Sequence, residues 1–121
     1  MYALPQEIEV WYIIPAIRKE LAKQLIKKHS LPYSKTGKIL GISKSAVSQY
    51  ISNKRGNKFI IPPEIKEKVA ISTEIIAKNP ERAIYEIEKL LKLIKQNKSS
   101  CELCKRYNPE IIKFCNCNAV Y

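Results

Sequence analysis

The sequence predicts an all-α protein with one helical domain and a short cysteine-containing tail. Apolar residues recur at helical spacing along most of the chain, and no stretch shows the alternation of a half-buried strand. Proline and glycine residues separate these periodic segments. With 121 residues, of which 45% are hydrophobic and 27% charged, the chain can bury one core. We therefore expect a domain over residues 1–98 and a tail over residues 99–121.

The first elements are a short amphipathic segment and a longer helix. Residues 5–13 place three apolar side chains on one side of the segment: Ile8, Trp11 and Tyr12. Pro15 suits the first turn of the next helix, because a missing N–H leaves no hydrogen bond unmade there. We expect that helix to end near His29. Its inward residues follow helical spacing and are Ile17, Leu21, Leu25 and Ile26.

Residues 33–52 predict two short helices that cross at a tight turn, as in a helix-turn-helix motif. The first helix is expected over 34–40 and the second over 44–52. Gly37 supplies the small residue needed at the crossing, Gly41 tolerates the positive φ of the turn, and Ser43 is a good N-cap. The apolar residues expected to hold the pair together are Ile39, Leu40, Ile42, Val47 and Ile51.

Two longer helices are expected to complete the domain, over 63–78 and over 80–97. The predicted inward residues are Ile65, Val69 and Ile76 on the first and Ile84, Ile87, Leu91 and Ile94 on the second. On the second helix, the stripe formed by residues 83, 84, 87, 90, 91 and 94 is wider than one packing partner needs. It predicts a homodimer joined through this helix, through the tail, or through both.

Positive charge is concentrated in the middle of the chain. The formal net charge is +11, and residues 33–62 contain six Lys or Arg residues and no acid. No acid occurs between Glu20 and Glu64. Such a surface attracts a polyanion, and double-stranded DNA is the first expectation because its binding releases condensed counterions. The alternative is a lysine-rich surface that is only solvated, but that alternative predicts interspersed glutamates here as well.

The second motif helix carries the side chains that predict base recognition. Gln49 can bond adenine through two hydrogen bonds, and Lys44 can meet guanine or a phosphate. The predicted base contacts are Lys44, Ser45, Ser48 and Gln49. The predicted contacts to the DNA backbone are Ser34, Lys35, Lys38, Asn53, Lys54, Arg55 and Lys58.

These features predict a sequence-specific DNA-binding transcriptional regulator with its recognition helix in the major groove. The alternative is a protein that binds nucleic acid without reading its sequence, either an RNA-binding protein or an architectural protein of chromatin. We do not expect an enzyme. His29 is the only histidine, there are 3 glycines, and neither a catalytic triad nor a glycine-rich phosphate loop is visible.

Two segments, EVWYIIPAIRKELA over 9–22 and SAVSQYISNKRG over 45–56, resemble small archaeal transcriptional regulators. Those proteins carry a lambda-repressor-like (XRE-type) helix-turn-helix. The resemblance covers most of the chain and is most specific over 9–56. It implies a five-helix DNA-binding core, regulation of transcription and a short cysteine-containing tail. The fold expected for this chain is such a helical bundle with an extra N-terminal helix and a long C-terminal helix.

All four cysteines lie in the tail: Cys101, Cys104, Cys115 and Cys117. The spacing is C-x2-C, then ten residues, then C-x-C. Four thiolates this close can form a tetrahedral Zn²⁺ site, and the same residues can hold an iron–sulfur cluster. Disulfides or free thiols are the third alternative; a cytosolic setting disfavours disulfides, with proteins of hyperthermophiles as the exception. We expect one metal site per chain, with zinc favoured over an iron–sulfur cluster.

No apolar run approaches the roughly 20 residues needed to cross a bilayer, and the first residues lack the basic and apolar regions of a signal peptide. A cytoplasmic protein without a membrane partner is therefore expected.

Overall fold

The computed structural model describes residues 4–97, and all regular structure within that range is helical. Six α-helices follow one another, with a π-helical turn after the first and a 3₁₀ turn before the last. Their bounds are α1 Pro5–Ile8, the π turn Glu9–Ile13, α2 Ile14–His29, α3 Tyr33–Leu40, α4 Lys44–Ile51, α5 Pro63–Lys78, the 3₁₀ turn Pro80–Arg82 and α6 Ala83–Gln96. The predicted all-α class is confirmed for this part of the chain.

The N-terminal segment continues into α2 through the π turn. The N–H of Ile14 donates to the carbonyl of Glu9, five residues earlier. A wide turn here accommodates Pro15, whose ring would meet the carbonyl four residues before it in a regular helix. Residues five apart align across a π turn, so Ile13 shares the buried side of Ile8. The predicted inward position of Trp11 is therefore wrong, since 48% of its surface is exposed.

Helix α2 is the centre of the domain and packs against α3, α4, α5 and α6. Its residues Ile17, Leu21 and Leu25 are fully buried, as the spacing predicts. Burying each of these side chains contributes about 1.5–3 kcal/mol. The helix ends at His29, after which Ser30 adopts a left-handed conformation with φ 54°. That reversal turns the chain into α3.

Helices α5 and α6 pack against α2 and against each other, and they complete the core. On α5, Ile65, Val69 and Ile76 are buried as predicted. On α6, Ile94 is buried as predicted, and Ile87 and Leu91 are partly buried against the core. The prediction for Ile84 is wrong, since this residue is 78% exposed, whereas Glu86 is buried. The buried residues of α6 are Ala83, Glu86, Leu90, Ile94 and Lys95.

The predicted stripe on α6 is divided between the core and the surface of one chain. Leu90 and Ile94 have no exposed surface within one chain, so they are not free to pack against a second copy. Ile84 and Tyr85 point away from the core and are 78% and 59% exposed.

Over residues 4–97, no helix is both long enough and apolar enough to cross a membrane.

Candidate nucleic-acid interface

Helix α4 presents a polar arc opposite a buried apolar side. Its N-terminus is capped by Ser43, whose Oγ accepts a hydrogen bond from the N–H of Ala46 at 3.0 Å. The buried side consists of Ala46, Val47 and Tyr50. On the opposite side Lys44, Ser45 and Ser48 are exposed and Gln49 is half-buried. With 3.6 residues per turn, these four side chains span an arc of about 140°. The four predicted base-contact residues therefore share one continuous face.

The angle between α3 and α4 is set by a close approach at Gly37. A Cβ on this residue would lie 2.7 Å from the carbonyl oxygen of Ile42, a distance that real Cβ atoms essentially never show. Gly41 adopts φ 72°, and the N–H of Ile42 donates back to the Gly37 carbonyl at 2.8 Å. Both predicted roles of the two glycines are confirmed. Because the turn is this tight, α4 is held in one orientation relative to α3.

Helix α3 supplies exposed polar groups beside α4. Ser34, Lys35 and Lys38 are exposed, whereas Thr36 and Gly37 are buried against the core. The Thr36 hydroxyl donates to the Pro32 carbonyl at 3.0 Å, which occupies it within the first turn. The three exposed residues are those predicted to contact the DNA backbone.

The segment after α4 carries the remaining predicted backbone contacts, and all of them are exposed: Asn53, Lys54, Arg55 and Lys58. Asn53 adopts φ 62°, and the N–H of Lys54 donates to the Gln49 carbonyl at 2.8 Å. The Arg55 guanidinium lies 5.9 Å from the centre of the Tyr50 ring, within range of a cation–π contact. These contacts join the basic segment directly to the C-terminal end of α4.

Sequence reasoning missed a tether that holds this segment against α2. Lys19 Nζ donates to Asn57 Oδ1, and Asn57 Nδ2 donates to the carbonyl of Asn53. At Gly56, where φ is 79°, a Cβ would lie 3.0 Å from the carbonyl oxygen of Pro15. Lys19 and Asn57 are 38 residues apart, so no local pattern indicates their contact. The tether adds a cation from α2 to the interface.

Burial and a neighbouring charge perturb that cation. The pKa of Lys19 is lowered mainly by burial and then by repulsion from Lys23, one turn further along α2. Glu20 acts in the opposite direction. The ammonium groups on this side of α2 therefore lie close enough to repel each other.

The predicted metal ligands Cys101, Cys104, Cys115 and Cys117 lie outside the described residues. Within residues 4–97, no group of three or more His, Cys, Asp or Glu side chains is placed to hold a metal ion. The metal site therefore stays a prediction from the cysteine spacing.

No family model matches the chain, and no curated protein or solved structure shows significant similarity to it. Inferences about its function therefore begin from the chemistry of the α3–α4 surface.

Proposed function

We propose that the protein is a sequence-specific DNA-binding transcriptional regulator. In this proposal α3 and α4 form a lambda-repressor-like helix-turn-helix, and α4 enters the major groove. An α-helix with its side chains is about 10–12 Å across, which fits a major groove about 12 Å wide. Ser43 caps the start of α4, and the close approach at Gly37 keeps the turn before it tight.

One observation carries the proposal. The exposed arc of α4 combines one ammonium, two hydroxyls and one amide with no carboxylate, beside exposed cations from α3 and the following segment. Hydroxyl and amide groups of this length can reach base edges, and Gln49 suits the N6 and N7 atoms of adenine. A surface that only neutralised phosphates would need more Lys and Arg on this arc and fewer hydroxyls.

The backbone contacts are proposed to position the helix rather than to read sequence. Lys35 and Lys38 on α3 and Lys54, Arg55 and Lys58 after α4 supply the positive charge. Ser34 and Asn53 supply polar groups at the edges of the surface. Binding by these residues falls steeply with salt, since each neutralised phosphate releases counterions.

A selection experiment tests sequence reading. Duplexes enriched from a random library should bind the full chain at least about 10³-fold more tightly than unselected duplexes at the same salt concentration. Similar affinity for both, or tighter binding to RNA, would replace this proposal with the alternative of a non-specific nucleic-acid-binding protein.

Two glutamines provide a matched pair of variants. Gln49→Ala should cost roughly 1–3 kcal/mol on the selected duplex and little on random DNA. Gln96→Ala, at the exposed end of α6, should change neither affinity. Equal losses on both duplexes for Gln49→Ala would show that Gln49 does not read a base.

We also propose that the regulator acts as a homodimer. A single recognition helix reads only part of a helical turn, and dimers of this kind read two half-sites about one turn apart. The exposed Ile84–Tyr85 pair on α6 is the proposed seam, and its neighbours Glu81, Arg82, Glu88 and Lys89 carry charges of both signs. Analytical ultracentrifugation should show a dimer for the parent chain and a monomer for Ile84→Ser with Tyr85→Ser. A folded variant that stays dimeric would move the seam to the tail or to the segment around Trp11.

For the tail we propose one metal site formed by its four cysteines, with zinc favoured over an iron–sulfur cluster. Elemental analysis and absorption spectra of protein purified without oxygen distinguish colourless zinc from a brown cluster. Cys101→Ser with Cys117→Ser should abolish metal binding. Metal-free parent protein with four titratable thiols would refute the proposal.

A further inference from the structure

A second basic surface lies behind the segment that follows α4. It is a cleft of about 180 Å³ between α2, that segment and the start of α5. Lys19 and Lys23 line it from α2, Lys66 lines it from α5, and Asn57 lines it from the segment. The carboxylate of Glu20 is also at its edge. Three lysines and one glutamate therefore line this cleft.

Glu20 offsets part of the positive charge of this cleft, which three lysines against one carboxylate leave net positive. Within residues 4–97, ion pairs join Arg82 to Glu86 and Lys95 to Glu9, and none of the three cleft lysines takes part in one. Asn57 Oδ1 accepts a hydrogen bond from Lys19, which holds this ammonium in place without cancelling its charge. Like charges held together in this way favour the entry of an anion.

The cleft is continuous with the surface proposed to contact DNA. Asn57 forms part of its wall and also bonds the carbonyl of Asn53, at the start of the basic segment. The N–H of Lys54 is in turn bonded to Gln49 on α4. An extended polyanion that follows the segment from α4 therefore passes the mouth of the cleft.

We propose that this cleft binds a backbone phosphate of the same DNA duplex. Lys19, Lys23 and Lys66 donate to the phosphate oxygens, and Asn57 is a positioning residue that orients Lys19. The site extends the contact surface to α2 and α5, neither of which supplies a contact predicted from the sequence. This inference rests on the proposed function.

The test compares two double variants with equal loss of charge. Lys23→Gln with Lys66→Gln removes two cleft lysines that form no ion pair or hydrogen bond in the described structure. Lys28→Gln with Lys68→Gln removes exposed lysines from the same two helices, outside the cleft. Thermal unfolding followed by circular dichroism should show that both fold like the parent chain.

Salt titrations on the selected and random duplexes provide the first readout. The slope of log K against log salt should become less steep by up to about 1 for the cleft variant, on both duplexes alike, since the cleft neutralises one phosphate and each neutralised phosphate contributes about 0.9. The control variant should keep the parent slope. A cleft variant with the slope of the control would overturn the proposal.

Protection from acetylation provides the second readout on the unmodified chain. With the selected duplex bound, Lys23 and Lys66 should react more slowly with an acetylating reagent, while Lys28 and Lys68 react at their free rates. Protection of all four lysines alike, or of none, contradicts a cleft site.

If Gln49→Ala abolishes discrimination between duplexes but the cleft variant changes nothing, only this inference fails. If the parent chain binds no duplex DNA, both proposals fail.

Discussion

Helices α4 and α6 are both amphipathic, but they use their two sides in opposite ways. Helix α4 buries small and aromatic apolar groups and exposes a polar arc that contains no acid. Helix α6 buries a glutamate and exposes Ile84 and Tyr85 next to Glu88 and Lys89. A face with one sign of charge is suited to a polyanion, whereas a mixed apolar face is suited to a protein surface.

The buried Glu86 shows how far α6 is adapted to its own fold. Its carboxylate accepts a hydrogen bond from Ser72 on α5 at 2.8 Å and lies 3.9 Å from the Arg82 guanidinium. It also lies in the first turn of α6, where the positive end of the helix dipole stabilises an anion. These contacts hold α6 against α5, whereas Lys44, Ser45 and Ser48 on α4 stay exposed.

The largest expected effect is a difference in the free energy of unfolding between variants on the buried and exposed sides of α6. Leu90→Ala should lower the free energy of unfolding by about 2–5 kcal/mol, because the fully buried side chain leaves a cavity. Within a monomer, Ile84→Ala should change it by less than about 0.5 kcal/mol, because Ile84 is exposed in the single chain. Urea unfolding of both variants at a protein concentration where ultracentrifugation shows a monomer measures the difference. Similar losses in the monomer would show that Ile84 packs against its own chain.

Ser72 on α5 and Ser45 on α4 form a pair of serines, one buried and one exposed, whose replacement compares the two helices. Ser72→Ala should cost about 1.5–3 kcal/mol of stability, because it removes a hydrogen bond to a buried carboxylate. Ser45→Ala should leave stability within about 0.5 kcal/mol of the parent, since this hydroxyl is exposed on α4. Chemical denaturation at neutral pH distinguishes them. A neutral effect of Ser72→Ala would show that Glu86 finds another partner.

The glycine at the α3–α4 crossing gives a smaller effect. Gly37→Ala should cost up to about 2 kcal/mol, because overpacking of about 1–3 kcal/mol is offset by a gain of roughly 1 kcal/mol in helix propensity. Gly41→Ala meets no neighbouring atom within 4 Å and serves as a control for backbone strain alone. Thermal melts combined with DNA binding test whether α4 also moves. A stabilised Gly37→Ala variant would contradict the close crossing.

The smallest effect is a pH dependence where the start of α5 meets the end of α6. A bond from its own backbone N–H, then one from Asn97 Nδ2, lower the pKa of Glu64, although burial acts the other way. A lowered folded-state pKa means that the stabilisation is present above the ordinary glutamate pKa and is lost as pH falls through the lower value. Stability measured across this acidic range should fall less in Glu64→Gln than in the parent. Parallel curves would show that these bonds do not form in solution.

The sequence predicts the α3–α4 region well because its signals are local. Ser43 caps the helix that begins after it, Gly41 takes the positive φ, and Gly37 leaves room for the crossing. Each role depends on neighbours within a few residues. The side chains on the exposed arc follow from helical spacing once those ends are known.

The features that the sequence did not predict depend mostly on contacts between residues far apart in the chain. Hydrophobicity alone favours Ile84 over Glu86 for the core, and the bond to Ser72 on another helix explains why the glutamate is buried instead. The tether between Lys19 and Asn57 likewise joins two elements far apart in sequence. Trp11 was misplaced because the prediction assumed regular helical spacing through the π turn.

Because of the π turn, the number of residues before α2 and the presence of Pro15 depend on each other. It holds one residue more than a regular helical turn, so deleting one of residues 10–12 would place Ile8 and Ile13 four apart, still on a common α-helical face. The deletion alone would bring the ring of Pro15 against a carbonyl of the restored helix, at a cost of about 3 kcal/mol. A shorter segment is therefore compatible with the core only when residue 15 is not proline. Among descendants of this chain, a one-residue gap here and the loss of that proline should be inherited together.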